Sequence, residues 1–128
     1  MPLFSATFRY ALVSLLEIAS SPEGVTATEL GRRLELSGTY LSNVLSELKR
    51  MGLIKSQKGR HGGYTLMRPA QSIDLLQLHQ GLAGSPPRLS GSSSHPALQW
   101  LDGLEQGWQQ ELASTSLLAV SDRAREGA

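Results

Sequence analysis

The stretch SGTYLSNVLSELKRMGLIKSQKGRHGGY, from Ser37 to Tyr64, combines an amphipathic helix with a basic hairpin. At 100° per residue, the helix has one apolar face and one face of small polar side chains. The apolar face holds Leu41, Val44, Leu45 and Leu48, and the polar face holds Thr39, Asn43, Ser46 and Arg50, with Ser42 beside them. Such a polar face can approach DNA base edges, because Asn bonds adenine and Ser or Thr bond bases or phosphates. An ordinary solvated helix face has the same composition, so the pattern alone leaves both interpretations open.

A shorter helix is predicted immediately before this one. Residues 25–34 offer Thr26 or Thr28 as an N-cap, and Leu30 and Leu34 form an (i, i+4) apolar pair. A three-residue turn, residues 35–37, then supplies an apolar plug and a serine that can cap the next helix. Helix, tight turn and helix together indicate a helix-turn-helix.

A small β-hairpin is predicted after the second helix. Gly52 suits the position that follows a helix end, and two strand-like runs come next, at residues 53–58 and 64–68. The turn between them, residues 59–63, contains three glycines, which permit positive backbone angles and a close approach to a phosphate chain. No Lys-Ser/Thr pair follows these glycines, so the turn is not a nucleotide-phosphate loop. The hairpin is typical of a wing, and the predicted fold is mainly α with a small β-wing.

Basic residues are concentrated in the first part of the chain. Residues 1–70 contain nine Lys or Arg and five Asp or Glu, a net charge of +4, whereas residues 71–128 contain three and six, a net charge of −3. From Lys49 to Arg68 there are six basic residues and no acidic one. This local excess is consistent with neutralisation of DNA phosphates, although a loosely basic surface would give the same count.

Five short motifs carry a family resemblance: Phe8-Arg9-Tyr10-Ala11-Leu12, Tyr40-Leu41, Leu45-Ser46-Glu47-Leu48, Gly52-Leu53-Ile54 and Gly62-Gly63-Tyr64-Thr65-Leu66. Together they resemble the Rrf2 family of winged helix-turn-helix transcription regulators, of the IscR, NsrR and CymR type. The similarity runs from about Ser5 to Gly84, and the wing motif is its most specific part. It implies a homodimer that binds a palindromic operator through the helix beginning near Ser37 and through the wing. In this family a long C-terminal helix crosses its partner, and many members hold an iron–sulfur cluster beside it.

The chain departs from the family where such a cluster would be bound. Cluster-binding members carry three cysteines in the loop before the dimer helix, whereas this chain has no cysteine. Counted back from Trp100, the last of those positions falls near Ser94, and a serine hydroxyl is a poor substitute for the usual thiolate ligand. A cysteine-ligated cluster is therefore excluded, together with the redox or nitric-oxide sensing that clusters support. No cofactor and no metal site are expected, because the three histidines lack a local metal-binding spacing.

The length of 128 residues suits one small domain with an oligomerisation arm. The predicted organisation is a winged helix-turn-helix domain at residues 1–83, a flexible Gly/Ser/Pro-rich loop at 84–96, and a dimerisation helix with a C-terminal tail at 97–128. An apolar helix at about residues 6–20 is assigned to the core and the dimer contact, a fourth helix to about 73–82, and a frayed end to 121–128. The apolar stripe assigned to dimerisation consists of Leu101, Leu104, Trp108 and Leu112. A partner subunit would bury this stripe, although packing on the first helix of the same chain is an alternative.

The sequence predicts a sequence-specific DNA-binding transcription regulator, expected to repress, that acts as a homodimer on a palindromic operator in double-stranded DNA. The residues predicted to contact DNA are Thr28, Ser37, Thr39, Tyr40, Ser42, Asn43, Ser46, Arg50, Lys58, Arg60, His61 and Gly62. The alternative is a winged-helix scaffold for protein interaction, whose binding would depend little on salt.

Other classes of protein are disfavoured. An enzyme is not expected, since there is no Gly-x-Ser-x-Gly elbow, no His-Glu-x-x-His helix and no carboxylate pair near a histidine. No stretch approaches the roughly 20 apolar residues of a membrane span, and residues 1–3 lack the basic leader of a signal peptide. A cytoplasmic location is therefore expected.

Overall fold

A computed structural model describes residues 4–58, 62–83 and 95–126. In chain order, the elements are α1 (Ala6–Ala19), α2 (Ala27–Leu34), α3 (Gly38–Arg50), β1 (Ile54–Gln57), β2 (Gly63–Leu66), a 3₁₀ turn (Ala70–Ser72), α4 (Leu75–Ala83), α5 (Pro96–Ala113) and α6 (Leu117–Glu126). Helices with one small antiparallel sheet form a winged helix-turn-helix, so the predicted fold class is confirmed.

Helix α1 forms the centre of the core. Its N-cap is Ser5, whose hydroxyl accepts a hydrogen bond from the Phe8 backbone N–H at 3.1 Å. Ala11, Leu15 and Ile18 are at most 1% exposed, and α1 contacts α2, α3, α4, α6 and β2. The helix therefore holds the helix-turn-helix, the wing and the C-terminal part of the chain together.

Local hydrogen bonds fix the ends of the two helices in the helix-turn-helix. Thr26 is the N-cap of α2, because its hydroxyl accepts from the Glu29 N–H at 3.1 Å, and this decides between the two threonines considered from the sequence. In the turn, Glu35 adopts a left-handed conformation with φ 55°. Ser37 caps α3 by accepting from the Tyr40 N–H at 3.3 Å. The orientation of α3 is thus set by the turn and by its buried apolar face.

The wing is fastened to the loop between α1 and α2. Strands β1 and β2 pair in register from Ile54–Leu66 to Gln57–Gly63, and Val25 adds a single antiparallel bridge to Tyr64. The Val25 N–H donates to the Tyr64 carbonyl at 3.1 Å, and the Tyr64 N–H donates back at 2.8 Å. Gly63 has φ +136°, and a Cβ atom there would lie 2.5 Å from the Val25 carbonyl oxygen. A glycine is therefore required where β2 passes this loop.

The C-terminal part of the chain joins the same core, which differs from the frayed end expected at residues 121–128. Residues 117–126 form α6, Leu117 is fully buried, and the Ser116 hydroxyl caps the helix by accepting from the Ala119 N–H at 3.1 Å. The expectation was wrong for residues 121–126, because this buried leucine and the cap anchor the helix; residues 127–128 lie outside the described part. The Leu117 N–H also donates to the Ile73 carbonyl at 2.7 Å, in a short antiparallel bridge.

Helix α4 begins later than predicted because the same bridge keeps Ile73 extended. The Asp74 carboxylate then accepts from the Gln77 N–H at 2.7 Å, as an N-cap does. The predicted start at residue 73 is therefore two residues early. The predicted loop at residues 84–96 lies outside the described residues, apart from its last two.

The apolar stripe of α5 is divided between two environments. Leu112 is 8% exposed, and the half-buried Trp108 ring lies 6.2 Å from Phe4 and 5.3 Å from His79. By contrast, Leu101 and Leu104 are 49% and 54% exposed. The C-terminal half of the stripe therefore packs within its own chain, and the N-terminal half has no cover in the described residues.

Candidate nucleic-acid interface

Helix α3 presents a row of small polar side chains to solvent. Thr39, Ser42, Asn43 and Ser46 are all exposed. None of them makes a side-chain hydrogen bond or ion pair with residues 4–58, 62–83 or 95–126. On the opposite face, Leu41, Val44, Leu45 and Leu48 are at most 2% exposed. The helix is thus fixed by its apolar face, and its polar groups are available to an external partner.

Two residues predicted to contact DNA on α3 have partners inside the chain. The half-buried Tyr40 ring packs edge-on against Tyr10 at 5.6 Å, and its hydroxyl is buried without a hydrogen-bond partner in the described part. Arg50 pairs with Glu47 at 2.6 Å and donates to the Gly81 carbonyl of α4 at 2.9 Å. Tyr40 therefore packs against α1, and Arg50 links α3 to α4.

The basic character of the wing comes from more residues than the predicted site included. Lys55 and Lys58 are exposed, and neither forms an ion pair with the described residues. Lys49 at the end of α3 is also exposed, and its amine lies 3.4 Å from the Ser56 hydroxyl of β1. Lys49 and Lys55 belong to the basic run noted in the sequence but were not included among the predicted contacts; the exposed position of Lys55 on a strand next to α3 is the signal that would have indicated it. The predicted contacts Arg60 and His61 lie outside the described residues.

The arginines of helix α2, unlike the lysines of the wing, are paired with carboxylates. Arg32 donates to the Glu29 carboxylate, and Arg33 bridges Glu29 at 3.0 Å and Glu17 of α1 at 3.1 Å. Hydrogen bonds from Arg32 and then Arg33 lower the pKa of the Glu29 carboxyl from 4.5 to about 2. Arg33 thus joins α2 to α1, and the charge of both arginines is largely compensated.

The remaining predicted contacts lie at the edges of this surface. Thr28 is exposed in the first turn of α2, and Ser37 is exposed at the start of α3, where its hydroxyl serves as the cap. Gly62 is half-buried directly before β2. The structure therefore brings α3, the base of the wing and two helix N-termini into adjacent parts of the fold.

The residues do not fit the iron–sulfur cluster that the resemblance suggests for some relatives. The chain has no cysteine. Among the described residues, no three His, Cys, Asp or Glu side chains are grouped so that they could hold a metal ion. His79 packs at 5.2 Å from Phe8, and His95 uses Nδ1 to accept from the Ala97 N–H at 3.1 Å. Separately, within the described ranges no helix is both long and apolar enough to cross a bilayer.

Comparison with known proteins gives relatives that match more than half of the chain. IscR, an HTH-type transcriptional regulator of Cereibacter sphaeroides, is 36% identical over 78 residues, which is 58% of this chain and 50% of the relative. An rrf2-like HTH-type regulator of Rhodobacter capsulatus is 32% identical over 96 residues, which is 69% of this chain and 64% of the relative. The matches therefore span about half to two thirds of the length of these two relatives.

A solved structure and a family profile agree with these relatives. CymR (YrzC), the global cysteine regulator of Bacillus subtilis, superimposes with a TM-score of 0.84 at 28% identity, covering 96% of this chain and 98% of CymR. The Rrf2 profile, described as an iron-dependent transcriptional regulator, matches residues 4–122. Because this match covers more than half of the sequence, the chain belongs to the Rrf2 family of transcriptional regulators.

Proposed function

We propose that this protein is a sequence-specific DNA-binding transcription regulator, expected to repress, that acts in the cytoplasm as a homodimer on a palindromic operator. The observation that carries the proposal is the row of exposed, unpartnered polar side chains on α3: Thr39, Ser42, Asn43 and Ser46. Since the opposite face of α3 is buried, the helix can enter a major groove without loss of core packing.

Base reading is assigned to α3 and backbone contact to its surroundings. Asn43 can form two hydrogen bonds to an adenine, and Thr39 or Ser42 can reach bases or phosphates. Lys58 and Arg60 on the wing are assigned to the DNA backbone or the minor groove. Lys49 and Lys55 extend this basic surface from the wing towards α3. Thr28 and Ser37 lie where helix N-termini favour a phosphate.

Dimerisation is assigned to the exposed half of the α5 stripe. Leu101, Leu104 and Trp100 are 49%, 54% and 65% exposed. Because each leucine is already about half covered in the single chain, burying the rest in an interface would contribute about 1 kcal/mol per leucine. Trp108 and Leu112 belong to the predicted stripe but are covered within the chain, so their part in the interface is secondary. A dimer of this kind presents two copies of α3, and two-fold symmetry requires a palindromic site.

The proposal is tested by selecting bound sequences from random duplex DNA and measuring their affinity. We expect a palindrome whose half-site centres lie about one helical turn, or a multiple of it, apart. Asn43→Ala should cost about 1–3 kcal/mol on the selected site and change nonspecific binding little. Gln110→Ala, an exposed amide change on α5, is the control and should leave both affinities unchanged. Binding without sequence preference would contradict the proposal, and binding without salt dependence would favour a protein-interaction scaffold.

The assembly is tested separately by sedimentation. Leu104→Glu should convert a dimer at micromolar concentration into a folded monomer, because Leu104 is exposed in the single chain and contributes little to its core. Gln110→Glu adds the same charge at an exposed position on the opposite side of the helix and is the control. An unchanged dimer in the Leu104 variant would overturn the assignment of α5 to the interface.

A further inference from the structure

A surface cavity of about 370 Å³ lies between the C-terminal end of α1 and the segment that follows β2. Its walls include Ile18 and Ala19 of α1, Thr65 and Leu66 of β2, and Arg68 and Pro69 beyond the strand. The volume is at the small end of the roughly 300–1,000 Å³ that ligand pockets occupy. The apolar walls with few polar groups are also typical of such pockets, which points to a small, partly apolar ligand.

One polar side chain in this cavity has no hydrogen-bond partner, and a second, cationic one has only neutral partners. Thr65 is 8% exposed, and its hydroxyl makes no hydrogen bond within the part of the chain that the structure describes. Arg68 donates to the Ser72 carbonyl at 2.8 Å and to the Gln77 side chain at 3.2 Å, both of which are neutral. Among residues 4–58, 62–83 and 95–126, no acidic one lines the cavity. An uncompensated guanidinium beside an apolar wall favours a carboxylate, which it binds by charge-assisted hydrogen bonds.

We propose that this cavity binds a small aliphatic carboxylate, whose carboxylate pairs with Arg68 and whose hydrocarbon chain lies against Ile18, Ala19 and Leu66. Rotation of the Thr65 side chain turns its hydroxyl towards the ligand. A guanidinium keeps several N–H donors after two hydrogen bonds, so Arg68 can bind the ligand without releasing Ser72 or Gln77.

The position of the cavity links a ligand to the wing. Thr65 directly follows Tyr64, which is bridged to Val25 at the start of the helix-turn-helix. A ligand held between α1 and β2 therefore restrains the wing relative to α3. A ligand that binds more tightly when the wing is in its free position lowers the affinity for DNA. A ligand that binds more tightly when the wing is in its DNA-bound position raises it. This regulatory part rests on the proposed function, whereas ligand binding does not.

Ligand binding is tested without DNA by titrating the full chain with hexanoate and recording backbone amide spectra. We expect shifts confined to residues 18–21 and 65–68, with a dissociation constant of about a millimolar, which is ordinary for so small a ligand. Hexan-1-ol and hexylamine are the neutral and cationic matches and should bind about fivefold more weakly or not at all. Equal binding of the alcohol, or no shifts in these two segments, would overturn the proposal.

Three variants test the geometry of the cavity. Arg68→Gln should weaken hexanoate binding about fivefold or more while hexan-1-ol binding stays unchanged. Ala19→Leu fills the cavity and should weaken the binding of both, and it keeps the test valid if the Arg68 variant is poorly folded. Arg125→Gln, an exposed arginine change on α6, is the control for loss of charge. If Arg68→Gln and Ala19→Leu both bind hexanoate as tightly as the control and the native chain do, the proposed site is wrong.

Regulation is tested by measuring the affinity for the selected duplex with and without saturating hexanoate. A change of about threefold or more in the native chain, absent in Ala19→Leu, supports the link. An unchanged affinity overturns the link but leaves the ligand site standing. A chain that binds hexanoate and no DNA at all would refute the proposed function instead, so the two failures are distinguishable.

Discussion

Helix α2 and the wing both carry basic side chains, but the structure leaves these side chains in different electrostatic environments. Arg32 and Arg33 of α2 are paired with carboxylates, whereas Lys55 and Lys58 of the wing have none within ion-pair distance in the described residues. A count of basic residues along the sequence treats all four alike. The neighbours of a cation, rather than its presence alone, therefore decide whether it can displace counterions from DNA.

The largest expected effect concerns the connection between the two regions, which is the bridge of Val25 to Tyr64. Gly63→Ala would place a Cβ 2.5 Å from the Val25 carbonyl oxygen at a residue with φ +136°. We expect a loss of about 3 kcal/mol or more in the free energy of unfolding, because both the backbone contact and the positive φ are unfavourable. Urea denaturation measures this loss.

Gly103→Ala is the matched control for that variant. Gly103 lies in α5, and a Cβ there meets nothing within 4 Å. Its replacement should therefore stabilise the protein by about 0.5–1 kcal/mol through helix propensity. A Gly63 variant as stable as the native chain would mean that the wing is not fastened to the loop before α2.

Lys58 of the wing and Arg32 of α2 should contribute differently to the salt dependence of DNA binding. Lys58→Ala should lower the slope of log affinity against log salt by about one, and weaken binding to all duplexes about tenfold near 0.1 M salt. Arg32→Ala should change the slope little, because Arg32 is already paired with Glu29. Fluorescence anisotropy over a salt series measures both slopes. Equal reductions in the two variants would remove the distinction between α2 and the wing.

The third prediction concerns the turn that follows α2. Glu35 has φ 55° and is the only non-glycine residue with positive φ in the described ranges. Glu35→Gly should stabilise the protein by about 0.5–1 kcal/mol, because glycine adopts this conformation without strain. Thermal unfolding measures the gain, with Glu23→Gly in the preceding loop as the control. A loss of stability at position 35 would show that the Glu35 side chain has a stabilising role that outweighs the strain.

The smallest expected effect is the pH dependence of the α2 ion pairs. The pKa of Glu29 is about 2 in the folded chain and 4.5 without its partners, so the folded state favours the ionised form. Its stabilising contribution is complete above pH 4.5 and declines as the pH falls towards 2. The stability difference between the native chain and Glu29→Gln should decline across the same range. A difference that stays constant over that range would contradict the assigned pKa.

Local signals were sufficient for the helix-turn-helix and the wing. Ser37 and Gly52 could be placed at helix ends from the sequence because caps and helix-ending glycines act within a few residues. The apolar face of α3 was equally predictable from its period. These positions depend on near neighbours, and the structure has them where the sequence indicated.

Contacts between distant residues could not be predicted in the same way. Tyr40 and Arg50 were both predicted to contact DNA, Arg50 from the helical wheel of α3. Their partners within the chain, Tyr10 on α1 and Gly81 on α4, are distant in sequence. The Glu47–Arg50 pair, in contrast, has the (i, i+3) spacing that a helix brings together and could have been recognised. Helix α6 was missed because its anchor, Leu117, is buried against a core that is distant in sequence.

The burial of Leu117 has a consequence for synthesis on the ribosome. Its backbone N–H donates to the Ile73 carbonyl beside the Asp74–Ser116 bridge, and its side chain joins the core built around α1. Because a chain emerges from its N-terminus, α3 and the wing leave the exit tunnel while one component of their core is still missing. We expect the domain to stay loosely packed in the nascent chain until residue 117 emerges. Only then can Leu117 cover the part of the core around α1 and exclude water from it.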